Sequence, residues 1–238
     1  AMEDMRKALD GKEYIESYTL SLTHEMKSPL TALQGAAELI SVVQEPEMRE
    51  QLADNISQQT ERLRALVDQV LALARLENLK VLKQTESIHL PALIQAETKQ
   101  LTFRFQEKGI ELQTDIEDIW VNGDPLLLGQ AVRNLLENAL DFSPCDSLIS
   151  IDAKQVDDQI SLCITDQGCG IPEYAQAKIW DKFYSLPRPE SGQKSTGLGL
   201  SFVQIIAQLH LAQVTLSNAD NQGTKALLIL PCTPDADS

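Results

Sequence analysis

The sequence predicts an α+β protein in which a helical hairpin dimerises into a four-helix bundle and is followed by an α/β sandwich. Three observations carry that prediction. Residues 2 to 79 contain no glycine beyond Gly11 and Gly35, only the prolines Pro29 and Pro46, and no alternating apolar run, which is helical composition. Apolar residues there recur at alternating spacings of four and three, laying one narrow seam along each helix. From residue 80 on, the texture turns to Gly, Pro, Asp and short β-rich runs. We therefore expect one domain over residues 1–80 and a second over residues 87–238.

Taken in order, the first helix carries Leu22, Met26, Leu30, Leu33, Ala37 and Ile40. The second carries Leu52, Ile56, Gln59, Leu63, Leu66, Val70 and Leu73, with a turn predicted near residues 43–47 around Pro46. Two single-seam helices cannot cover their own apolar faces, so a homodimer through residues 13–79 is the economical solution. Gln59 is then a polar interruption that fixes register. In the second domain, Ser87 to Gly109 predicts a helix led by Leu90-Pro91, and residues 110–116 and 119–122 predict strands. Asp124 caps a helix that starts at Pro125 and runs to about Phe142. Residues 148–154 and 160–165 predict one hairpin, and residues 213–218 and 224–230 another, with a helix starting near Leu198 between them.

Composition excludes several classes of function. With 43% hydrophobic and 23% charged residues the chain is globular. Its net charge of −15 repels a phosphate backbone, which argues against nucleic acid as a partner. Cys145, Cys163, Cys169 and Cys232 form no CxxC pair, and His24, His89 and His210 lack zinc-ligand spacing, so reduced thiols and no zinc site are expected. The opening AMEDMRKALDG has no basic region followed by an apolar one, and no run is long enough to span a bilayer.

Three constellations carry chemistry. His24 lies two residues from both Leu22 and Met26, about 200° around the helix, so it projects from the polar side. Glu25 is adjacent, and Pro29 interrupts the helical pattern, where proline costs about 3 kcal/mol unless a bend is useful. Asn134 and Asn138 share a helix face beside Leu127, Ala131, Leu135 and Leu136; an amide oxygen suits a hard cation such as Mg²⁺. In ITDQGCGIP (residues 164–172) a strand delivers Asp166 into a turn at Gly168 and Gly170, where a carboxylate can accept from an exocyclic amine. The run GQKSTGLGLS (192–201) fails P-loop spacing but offers a glycine-bearing loop leading into a helix N-terminus that suits phosphate.

The blocks HEMKSPL, NLLENA, DQGCGIP, WDKFY and GLGLS resemble, in that order, the H, N, G1, F and G2 boxes of sensor histidine kinases, over nearly the whole chain from about Glu13 to Pro231. The resemblance implies a phosphotransfer hairpin followed by an ATP-binding domain of the gyrase, Hsp90 and histidine kinase type. It implies His24 as phosphoacceptor, Glu25 as its neighbouring carboxylate, Ser28 as a water-orienting residue for dephosphorylation, and Lys182 as a charge-neutralising cation. For the nucleotide it implies Asn138 as the Mg²⁺ ligand with Asn134 assisting, and Asp166 on the adenine amine. Gly168, Gly170 and Ile171 then lie beside the ring, and Thr196, Gly197, Leu198, Gly199 and Leu200 around the phosphates, with residues 185–196 as the lid.

ATP and Mg²⁺ are the implied cofactors, and a response-regulator receiver domain is the implied partner. The implied location is the cytoplasmic portion of an inner-membrane-anchored bacterial sensor, reaching the membrane only through a sensor region outside this sequence. Two departures stand out: Ser28 replaces the usual Thr or Asn, and Asp141 replaces a frequent Lys. The negative charge of Asp141 opposes phosphate unless Arg133, Lys182 or the metal compensates. The alternatives are an ATP hydrolase or chaperone of the same fold, disfavoured because Asn134 stands where those relatives place a water-activating Glu, and a non-catalytic nucleotide-binding dimeric adaptor.

Overall fold

The computed structural model describes residues 2–82, 84–190, 192 and 194–232, with side chains from Tyr18 onward. The chain divides into two compact units between Ala74 and Arg75. All four cysteines are free, and no helix among the described residues is long and apolar enough to cross a membrane.

The first unit holds α1 (Met2–Ile40) and most of α2 (Pro46–Glu77). Pro46 opens α2, where its missing N–H costs nothing and its fixed φ suits the first turn. Leu52, Ile56, Gln59, Leu63, Leu66, Val70 and Leu73 are each at least half-buried on α2, as their spacing predicts. On α1, Leu22, Met26, Leu33 and Ile40 are half-buried as expected, but at the other two seam positions burial falls one residue earlier. Pro29 and Ala36 are buried, whereas Leu30 and Ala37 are exposed. Pro29 stays within the helix, and its lack of an N–H leaves the Glu25 carbonyl without its helical donor.

In the second unit, β1 (Glu86–His89) pairs antiparallel with β3 (Trp120–Gly123). The expected helix over Ser87 to Gly109 is therefore corrected at both ends. Ser87, Ile88 and His89 are strand, because Ile88 buries itself in register with Val121. The helical part then splits at Leu101 into α3 (Leu90–Gln100) and α4 (Thr102–Glu107). The main sheet has the order β2-β4-β5-β7-β6, formed by β2 (Glu111–Ile116), β4 (Leu148–Val156), β5 (Gln159–Thr165), β6 (Gln213–Asn218) and β7 (Thr224–Pro231). Among the described strands only β2 and β4 run parallel.

One face of this sheet carries the core. Ile149, Ile151, Ala153, Ile160, Leu162 and Ile164 alternate with less buried neighbours and are fully buried or nearly so. Packed together over them are α5 (Pro125–Phe142) and α7 (Gly199–Leu209), with α3 behind α5. Asp124 caps α5 by accepting the Leu126 and Leu127 N–H groups at 3.0 and 3.1 Å. A short α6 (Glu173–Gln176) precedes the long segment that leads to α7.

Candidate active site

Where α5, α7 and the ends of β5 and β7 meet, a cavity of about 100 Å³ opens. Leu135, Ala139, Ile164, Ile179, Leu200 and Leu216 give it apolar walls. Its polar members are few, and Asp166 among them is positioned by backbone N–H groups.

Asp166 follows the last residue of β5 and is 5% exposed. Its Oδ1 accepts the backbone N–H groups of Gly168 at 2.8 Å and Thr224 at 3.0 Å. Burial pushes the carboxyl above its ordinary pKa, and the donors on Gly168 and Thr224 pull it part of the way back. Gly223 makes the arrangement possible: a Cβ there would lie 1.8 Å from the Asp166 carbonyl oxygen, and its φ of +101° disfavours any side chain. The turn continues through Ile171, whose N–H and C=O are both held by the Asn218 side chain at 2.6 and 3.1 Å.

The expected site residues divide into those that line the cavity and those that do not. Asn138, Asp166, Gly170, Ile171, Gly197, Gly199 and Leu200 line it. Gly168 does not; a Cβ there would meet the Phe142 carbonyl oxygen at 2.5 Å, so its missing side chain serves backbone packing and gives a ligand no room. Leu198 is fully buried in the core, and Thr196 lies off the cavity wall. Asn134 is also off the cavity, its Nδ2 donating to the Gly199 carbonyl at 3.3 Å and tying α5 to the first turn of α7.

Asn138 behaves differently. Its amide nitrogen is buried without a partner at the cavity. A buried amide with no protein partner fits a ligand that supplies one, and exchange of its two ends would present the oxygen to a cation.

Charges around the cavity are compensated in a way the sequence does not suggest. Asp141 pairs with Arg104 at 2.7 Å and Arg188 at 2.5 Å. The expected compensators are engaged elsewhere, Arg133 with Glu97 at 2.7 Å and Lys182 with Glu77, all four within the second unit. The segment after residue 183 is pinched at its base: the Phe183 N–H donates to Gly197 O at 3.0 Å, and the Ser195 N–H donates to Ser185 Oγ at 3.1 Å. Sequence reasoning missed Thr224 and Asn218, which carry no motif signal; Tyr184 belongs to the WDKFY block and Leu186 and Ser195 to the expected lid, but the sequence singles out none of the three as a cavity residue.

In the first unit, His24 and Ser28 are exposed on α1 and Glu25 is half-buried. No hydrogen bond joins His24 to Glu25 among the described residues, because neighbours on a helix point about 100° apart. Glu25 therefore does not fix the imidazole tautomer in this conformation.

Residues 18–79 match the His Kinase A (phospho-acceptor) domain, and residues 123–234 match the histidine kinase-, DNA gyrase B-, and HSP90-like ATPase. The chain belongs to the sensor histidine kinases. The chain is 43% identical to the sensor protein CreC of Escherichia coli strain K12 over 97% of its own length and 48% of that relative. It spans about half the length of the curated relatives it matches. Among solved structures, it superposes on a mycobacterial sensor histidine kinase, MprB, with a TM-score of 0.56 and 28% identity, over 63% of this chain and 99% of that one. The histidine kinase ThkA, solved in complex with response regulator protein TrrA, shares the fold with a TM-score of 0.77 at 21% identity, over 98% of this chain and 66% of that one.

Proposed function

We propose that the chain binds ATP in the cavity, transfers the γ-phosphoryl group to His24, and passes it on to an aspartate of a separate response regulator. The observation that carries this reading is the buried Asp166 carboxylate set in a mostly apolar slot. A flat heterocycle fills such a slot, and a carboxylate that already accepts two backbone N–H groups through Oδ1 still has acceptor capacity for an exocyclic amine. The N-terminal turn of α7 has no side-chain cap, which leaves backbone N–H groups for phosphate. Asn138 would hold Mg²⁺, which supplies charge neutralisation on the phosphates when bound.

In the first transfer a His24 ring nitrogen attacks the γ-phosphorus; the bond to the β–γ bridging oxygen breaks and ADP leaves. Exposure of His24 suits an imidazole that must be reached by two different visitors. Glu25 takes the imidazole proton after rotating toward it, and Lys182 exchanges Glu77 for phosphate. In the second transfer the nitrogen–phosphorus bond breaks as a regulator carboxylate oxygen bonds to phosphorus. Ser28, exposed one helical turn from His24, orients water for a separate reaction, hydrolysis of the regulator's acyl phosphate to free carboxylate and phosphate.

Homodimerisation through the hairpin belongs to the same reading. Leu20, Leu30, Leu39, Val67 and Leu71 are 44 to 62% exposed on α1 and α2, an apolar surface that a second copy would cover. The hairpin and the nucleotide domain then act as the signalling half of a longer sensor, anchored to the membrane by a region outside this sequence, as the resemblance implies. Asn134 favours the kinase over a hydrolase, because its amide is engaged with Gly199 and offers no base for water. Incubating protein prelabelled from γ-labelled ATP with candidate regulators tests the second transfer. Label should move to one regulator and not to its Asp→Ala variant, and retention of all label on the kinase contradicts the phosphotransfer role.

A further inference from the structure

We propose that Asp141 is a positioning residue for nucleotide binding, holding Arg104 and Arg188 on its two carboxylate oxygens and, through Arg188, fixing the cavity wall formed by Ser185 and Leu186. The inference rests on the reading that the cavity takes a nucleotide. Asp141 lies three residues after Asn138 on α5, nearly one turn further along the same face. Its side chain is 11% exposed; Oδ1 accepts from Arg104 at 2.7 Å and Oδ2 from Arg188 at 2.5 Å. Arg188 stands two residues beyond Leu186, which lines the cavity with Ser185.

A second tie orients the same stretch. Glu190 pairs with Lys108 at 3.1 Å and accepts from Cys145 Sγ at 3.1 Å. Lys108 in turn donates to the carbonyls of Leu140 and Ser143 at the end of α5, at 2.9 and 3.0 Å. Arg188 and Glu190, of opposite charge, are thus each anchored beside the C-terminal end of one helix, the helix that also carries Asn138. The Glu190 pair is exposed and contributes little. The Asp141 pair is the stronger of the two. Without that carboxylate, only the more distant Glu137, 3.9 Å from Arg104, would face the two guanidiniums, and the Arg188 Nε is already buried without a partner.

This arrangement resolves the sign of Asp141. As a bare charge it would repel phosphate, and its removal would tighten ADP binding. Flanked by two guanidiniums, with Glu137 also 3.9 Å from Arg104, its charge is balanced by its neighbours, and its removal instead frees the wall of the site.

The two accounts predict opposite results for one variant. Calorimetry with Mg-ADP on the whole chain should show Asp141→Asn and Arg188→Ala each weakening binding, by roughly tenfold for loss of a charged, largely buried hydrogen bond. Asp141→Glu, which keeps the carboxylate, should restore most of the affinity. Trypsin cleavage after the exposed Lys194, measured without nucleotide and well below the variant's unfolding temperature, should be faster in Asp141→Asn than in wild type. Asp166→Asn, which weakens the nucleotide site alone, should keep the wild-type cleavage rate. Unchanged or tighter Mg-ADP binding by Asp141→Asn overturns the proposal, and Arg188→Ala decides it should Asp141→Asn not fold. If the wild type itself fails to bind Mg-ADP, the nucleotide reading falls, and equal cleavage rates in wild type and Asp141→Asn would then also overturn the anchoring role.

Discussion

His210 Nε2 accepts the backbone N–H of Asp124 at 3.0 Å, joining the end of α7 to the cap of α5. Its Nδ1 lies 2.8 Å from the Ile206 carbonyl and carries the proton, so the ring is held as one neutral tautomer. Both helices that shape the cavity are fastened by this imidazole at their ends away from the cavity.

Stability should depend on the His210 protonation state. Burial lowers its pKa below the ordinary value of about 6.5, outweighing the opposing effects of the Ile206 carbonyl and Asp124. The unfolded chain therefore takes up a proton before the folded one does. Stability is full above pH ~6.5 and falls as pH drops toward the folded pKa, with a slope of at most about 1.4 kcal/mol per pH unit. Urea titrations between about pH 5.5 and 7.5 should show this slope in the wild type and its loss in His210→Gln. Equal slopes in the two proteins contradict the assignment.

Asp166→Asn should weaken ATP binding by about 1.5 to 3 kcal/mol, the worth of a charged hydrogen bond in a buried pair. Calorimetry reads this directly. Affinity equal to wild type removes Asp166 from the adenine site.

Gly223→Ala should destabilise the second unit by about 2 to 4 kcal/mol, since the new Cβ has no room beside the Asp166 carbonyl. Denaturant unfolding checks the magnitude. A loss under about 0.5 kcal/mol would mean that the turn relaxes freely.

The exposed apolar residues of α1 and α2 predict a dimer at micromolar concentration. Sedimentation should give twice the chain mass for wild type and the single mass for Leu30→Glu with Leu71→Glu. A compact wild-type monomer contradicts the bundle.

Legibility in the sequence followed the range of the forces involved. The α2 seam is a heptad pattern, a local property, and each of its residues from Leu52 to Leu73 is at least half-buried as read. The Asp124 cap and the β4–β5 and β6–β7 hairpins are likewise short-range. On α1, Leu22, Met26, Leu33 and Ile40 keep the expected seam, while burial falls on Pro29 and Ala36 in place of Leu30 and Ala37, a one-residue offset that spacing alone does not resolve. β1 is four residues that become strand only by pairing with β3. Within the site, Asp166 was legible because its turn is local. The use of Gly168 was not, since it depends on the carbonyl of Phe142, and the partners of Asp141 come from Arg104 and Arg188 on other elements.

The central claim is that His24 receives phosphate from ATP bound in the second unit. Incubating wild type and His24→Gln with γ-labelled Mg-ATP, alongside calorimetry of Mg-ADP binding, tests it most directly. The account predicts acid-labile, base-stable label on the wild type and none on His24→Gln, with Mg-ADP affinity the same in both. Undiminished label on His24→Gln would contradict it.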